Sequence, residues 1–134
     1  MTAPIPIGPT LNQIGQIFVN VKDLDRATAF YRDVLGMTYL FSAPPGMVFF
    51  DCGGIRIMLG RADRPELDAI ASIIYYKVDD IERVAEVFKA RGVEFIIDPH
   101  LVAPMPTYDL WLADFRDSEG NILALMSEVP KEVA

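Results

Sequence analysis

The chain repeats itself, and a repeating chain must fold into units that bury apolar surface against one another. Gln16-Ile-Phe-Val-Asn-Val-Lys-Asp-Leu-Asp-Arg-Ala aligns with Ile73-Ile-Tyr-Tyr-Lys-Val-Asp-Asp-Ile-Glu-Arg-Val at an offset of 57. The alignment matches Val21 with Val78, Asp23 with Asp80 and Arg26 with Arg83. Leu35-Gly36-Met37 meets Arg91-Gly92-Val93 at an offset of 56, and Gly54 to Leu59 meets Gly120 to Leu125 at an offset of 66. The second copy therefore holds ten extra residues, around Pro99 to Tyr108, and their prolines predict an inserted loop.

Each copy reads as one strand, one helix and three further strands. Gln16 to Val21 is short and β-rich. Asp23 and Asp80 are placed to cap helices, and Gly36 and Gly92 to stop them. Leu24, Ala27, Phe30, Tyr31, Val34 and Leu35 follow helical spacing, as do Ile81, Val84, Ala85 and Phe88. Three apolar runs follow each helix: Thr38 to Ser42, Gly46 to Cys52 and Ile55 to Gly60, then Val93 to Asp98, Leu110 to Phe115 and Ile122 to Ser127. The expected organisation is an arm over 1–13, a domain over 14–128 and a tail over 129–134. Within that domain, module 14–60 and module 72–128 are joined by a polar linker over 61–71.

Composition narrows the function. The 134 residues carry 12 Lys+Arg against 19 Asp+Glu, a net charge of -7, which argues against a nucleic-acid partner. Apolar residues make up 51% of the chain, yet no run approaches the length that spans a membrane. Met1 to Leu11 has no basic residue and three prolines, unlike a secretory signal, so a cytoplasmic location is expected. Cys52 is the only cysteine, so no intrachain disulfide forms, and a free thiol suits the cytoplasm. His100 is the only histidine, so no intrachain site can use two.

Strand alternation sorts the side chains into two faces. Ile17, Val19 and Val21 are expected to cover the first helix, leaving Gln16, Phe18 and Asn20 on the opposite face. Ile74, Tyr76 and Val78 do the same in the second copy, leaving Ile73, Tyr75 and Lys77 opposite. Arg56, Met58, Ala124 and Met126 join that inward face from the last strands, and Phe49 and Trp111 are added as candidates. Together these residues describe an apolar, aromatic cleft with a few polar anchors, the usual make-up of a small-molecule site. The same residues also suit a packed core. Arg56 and Lys77 fit that core less well, because a buried cation needs a partner such as Asp51, water or an anionic ligand.

Two segments carry a family resemblance: Val19-Asn-Val-Lys-Asp-Leu-Asp-Arg-Ala-Thr-Ala-Phe-Tyr-Arg-Asp-Val-Leu-Gly36 and Phe115-Arg-Asp-Ser-Glu-Gly-Asn-Ile-Leu125. The pattern resembles the vicinal oxygen chelate superfamily, which includes glyoxalase I, bleomycin-resistance proteins and extradiol dioxygenases. The resemblance runs from about Ile14 to Glu128. It implies an α+β fold of two tandem βαβββ modules forming a U-shaped mixed sheet around a cleft, with the helices outside, and often a homodimer. Metal-dependent members place four ligands, usually His and Glu, at positions that fall here on Gln16, Met58, Ile73 and Ala124. Three of these four cannot bind a hard divalent ion, so no metal or other cofactor is expected.

Two functions follow. One is a metal-free protein that binds a small aromatic or amphipathic molecule, possible anions included, in the cleft, as bleomycin-resistance proteins do. The alternative is a lyase, isomerase or dioxygenase with a divalent metal at a non-standard site, or a metal-free reaction assisted by His100 or Tyr75. His100 is read either as a surface loop residue or as a general base over the cleft mouth, beside a rim of Tyr108, Asp109 and Trp111.

Overall fold

The computed structural model describes residues 14–62 and 72–131. The expected N-terminal arm, most of the linker and the last three residues lie outside the described residues. The first module runs β1 (Gln16–Asn20), α1 (Leu24–Ala29), β2 (Thr38–Ala43), β3 (Met47–Cys52) and β4 (Ile55–Gly60). The second runs β5 (Tyr75–Lys77), α2 (Ile81–Ala90), β6 (Phe95–Pro104), β7 (Tyr108–Arg116) and β8 (Ile122–Pro130). The expected tandem βαβββ modules are therefore present. Their strands pair as two four-stranded mixed sheets, ordered β1-β4-β3-β2 and β5-β8-β7-β6. In each sheet the first strand lies parallel to the last and the other pairs are antiparallel.

The helix signals act as the residue types predict. The Asp23 carboxylate accepts from the Arg26 amide at 3.0 Å, and Asp80 does the same for Arg83 at 3.2 Å. Gly36 and Gly92 end the two helical stretches at φ of 77° and 88°, a region that disfavours a side chain. The first helix does not stay α-helical. From Phe30 to Val34 it widens to a π turn, in which the Leu35 amide donates to the Phe30 carbonyl at 3.0 Å. That segment carries Tyr31, which is fully buried.

One core serves both modules. Val21, Tyr31, Phe50, Ile57 and Leu59 from the first pack in the same cluster as Ile81, Phe115, Leu123 and Leu125 from the second. A polar seam fastens the junction. The Tyr31 hydroxyl donates to Asp117 at 2.8 Å, and Asp117 also accepts from the amides of Glu119 and Asn121. Burial and the Asp117 charge push the Tyr31 phenol well above its ordinary range. Glu119, whose side chain is 1% exposed, closes on the start of α1. It accepts from the amides of Lys22 and Asp23 at 2.8 and 2.7 Å and from Arg26 Nε at 2.8 Å. These donors, with Arg26 foremost, hold the Glu119 carboxyl down at about 2.

The ten extra residues of the second copy do not form a loop. They lengthen the β6–β7 hairpin, so that β6 runs through Pro99 to Pro104 and only residues 105–107 turn. The prolines are tolerated because β6 is an edge strand, where a missing N–H need not break a ladder. Three register shifts along the β6–β7 pair absorb the irregularity. At the C-terminus β8 continues through Val129 and Pro130, so the first two residues of the expected tail belong to the sheet.

Candidate functional site

Each sheet has one face against its helix and one turned away, here called the open face. On the first sheet the register lines up Phe18, Met58, Phe49 and Phe41 in one row across β1, β4, β3 and β2. Phe41 stacks on Phe49 with ring centroids 4.6 Å apart and an interplanar angle of 27°. Phe18 is 40% exposed and Phe41 43%, while Phe49 beneath is only 7% exposed. The row is an aromatic shelf with a thioether in its middle, presented to solvent in the lone chain.

The adjoining row holds the polar groups. Gln16 faces Arg56, and Arg56 faces Asp51. Among the described residues the Gln16 amide nitrogen donates only to the Met58 sulfur, at 3.6 Å, a weak acceptor. The Arg56 guanidinium lies 5.9 Å from the Phe49 ring centroid, a cation–π contact. Asn20 is engaged elsewhere: its side-chain oxygen accepts from the Ala62 amide at 2.7 Å and holds the chain leaving β4.

On the second sheet Tyr75 faces Ala124 and Asp114, and the next row holds Lys77, Met126, Leu112 and His100. Tyr75 is 50% exposed, and Ile73, just before β5, is exposed as well. Lys77 pairs with Glu128 at 2.9 Å, and this carboxylate holds the Lys77 ammonium above its usual range. Ala124 is fully buried and offers no contact surface. The candidate residues thus divide into two sets on separate sheets: Gln16, Phe18, Asn20, Phe49, Arg56 and Met58 on one, and Ile73, Tyr75, Lys77 and Met126 on the other.

Two candidates need correction. Trp111 is not on the open face. It alternates with Ala113 and Phe115, both buried on the helix side, and it lines a groove of about 350 Å³ with Glu82, Glu86 and Lys89 of α2. His100 is not in a loop over a cleft mouth. It stands in β6 opposite Leu112, and the register shifts on either side of Ile97 bring it to the open face. Its Nδ1 donates to the Asp98 carbonyl at 3.0 Å, and no carboxylate among the described residues is bonded to the ring. The expected rim does not gather around it: Tyr108 and Asp109 pair with Pro130 and Val129 at the far end of β7, and Asp109 meets Lys131 at 3.8 Å.

Phe41 is the shelf residue that sequence patterning missed. A shift between Tyr39 and Phe41 puts Tyr39 opposite Phe50 and Phe41 opposite Phe49, so alternation counted along β2 gives the wrong face. Cys52 is half-buried, and its thiol is pushed up by burial and by Asp51, which leaves it a poor nucleophile.

The donor chemistry at the four family ligand positions does not suit a hard metal ion. An amide already directed at a thioether, a thioether, a sec-butyl group and a buried methyl stand where carboxylates and imidazoles are needed. Among the described residues no group of three His, Cys, Asp or Glu side chains is placed to hold a metal.

Comparison with known proteins agrees with this architecture. Residues 13–125 match the family model of the Glyoxalase/Bleomycin resistance protein/Dioxygenase superfamily, and the chain belongs to that superfamily. No curated protein matches the chain. Among solved structures it is similar to a lactoylglutathione lyase from Agrobacterium tumefaciens (TM-score 0.71, 23% identity, 88% of this chain and 95% of that one). It is also similar to a superfamily member from Sphaerobacter thermophilus DSM 20745 (TM-score 0.73, 22% identity, 88% and 98%). A third similar structure is TnmS3, an antibiotic binding protein from Streptomyces sp. CB03234 (TM-score 0.72, 20% identity, 90% and 98%). At these identities the likeness is one of fold. No helix among the described residues is long and apolar enough to cross a membrane.

Proposed function

We propose that this chain is a binding protein of the superfamily, holding a small aromatic or amphipathic molecule on its open sheet face without a metal ion. The observation that carries the reading is the Phe18–Met58–Phe49–Phe41 shelf, which puts apolar contact at one family ligand position and beside another. An exposed aromatic shelf flanked by a few polar groups suits a small molecule better than a folded core does. The fold shared with an antibiotic binding protein is compatible with such a role.

The chain acts as a homodimer in the cytoplasm in this reading. The edge strands β2 and β6 support the dimer, since among the described residues both leave one side unpaired and expose Leu40, Ile96, Leu101 and Val102. Elemental analysis and light scattering test the proposal together. Protein free of transition metal, with a mass near twice 14.9 kDa and saturable binding of an uncharged aromatic dye, is the expected result. Stoichiometric zinc, nickel, iron or manganese overturns it in favour of a metal-dependent enzyme.

A further inference from the structure

Resting on that binding reading, we infer that the ligand is an amphipathic anion whose charged group is received between Arg56 and Gln16. The cations on the open faces differ in their commitments. Lys77 is paired with Glu128, and Arg116 donates to the Gly120 carbonyl at 3.2 Å. Arg56 has neither kind of partner among the described residues, although Asp51 stands directly opposite it in the β3–β4 ladder. Its guanidinium lies over Phe49 instead, and Arg56 is exposed to solvent.

Gln16 is its neighbour on the other side, across β1 and β4, and spends its amide on a thioether. Two donor groups with weak or no acceptors therefore stand side by side. An anion between them gains charge-assisted hydrogen bonds from Arg56 and a neutral one from Gln16. Asp51, on the β3 side of Arg56, repels an anion and so directs it toward β1. The row beside these donors is the apolar shelf of Phe18, Met58 and Phe41. A polar row next to an aromatic row selects a ligand with one anionic end and one flat apolar body. Carboxylate, planar, and sulfonate, tetrahedral, each offer Arg56 two oxygens for a bidentate contact.

A pair of dyes separates the charge from the apolar body: anilinonaphthalene sulfonate, and phenylnaphthylamine, which lacks the sulfonate. Both are titrated into the full chain and followed by dye fluorescence. The sulfonate is expected to bind about tenfold more tightly, the worth of one charge-assisted hydrogen bond. The preference should shrink in high salt and fall to about one in Arg56→Met, with Arg56→Lys between the two. Arg56→Gln serves as a second variant, and thermal unfolding checks that each is folded. Equal affinity of the wild-type chain for both dyes overturns the inference while the binding reading stands. A tenfold preference that survives in folded Arg56→Met and Arg56→Gln overturns it too. Failure of both dyes to bind saturably defeats the binding reading itself, and the inference with it.

Discussion

Replacing Glu119 by Gln should loosen the junction between the modules. The carboxylate accepts the Lys22 and Asp23 amides, two Arg26 nitrogens and the Ser118 hydroxyl, so every lone-pair direction is used. Gln keeps one acceptor oxygen and turns an NH2 group toward donors that need acceptors. The carboxyl is held at about 2 against an ordinary 4.5. At about 1.4 kcal/mol per pKa unit that bounds the stabilisation at about 3 kcal/mol. Arg26 is 54% exposed. Solvent screening at so exposed a partner lowers the expected loss to about 2 kcal/mol.

Because the folded-state pKa is depressed, this stabilisation is present above the unfolded value near 4.5 and is lost as pH falls toward 2. Melting followed by circular dichroism at pH 7 should place the variant about 8 °C below wild type. At pH 3 the gap should close by more than half. A gap of the same size at both pH values, or a melting point unchanged at pH 7, would falsify the assignment of Glu119 as a charged latch.

Tyr31→Phe removes one buried hydrogen bond to Asp117 and should cost about 1–2 kcal/mol, read as a lower urea midpoint with an unchanged slope; no shift in midpoint counts against the bond. Phe41→Ala strips the stacked ring from the shelf and should weaken binding of an uncharged aromatic dye about five- to tenfold, whereas undiminished affinity places the dye elsewhere. Trp111→Phe, on the opposite side of its sheet, should leave the affinity for that dye within about twofold, and a tenfold loss would move the site to the α2 groove.

The repeat, the caps and the face assignments of β1, β4 and β5 were legible because each depends on residues close in sequence. Asp23 and Asp80 cap their own first turns, and Ile57 and Leu59 bury where alternation puts them. What escaped depends on partners far along the chain or on broken alternation. Arg26 and Glu119 are 93 residues apart, and nothing local marks them as a pair. Phe41 and His100 each follow a register shift, which resets the face without changing the composition. Proline misled in β6 because it marks a turn in most contexts but is also at home on an edge strand.

Among the described residues each sheet has two edges, and the hairpin edges β2 and β6 have unequal consequences when the protein is concentrated. β6 carries Pro99, Pro104 and three register shifts, so an incoming extended segment finds neither a full row of donors nor a straight template. β2 has no proline, one shift, and Tyr39, Leu40 and Phe41 in sequence, all exposed. Of these two edges, β2 is therefore the one open to association by strand addition, whether ordered or amyloid-like. A charged residue at Leu40 would oppose strand addition at this edge, pairing of two copies through β2 included, while leaving the aromatic shelf in place.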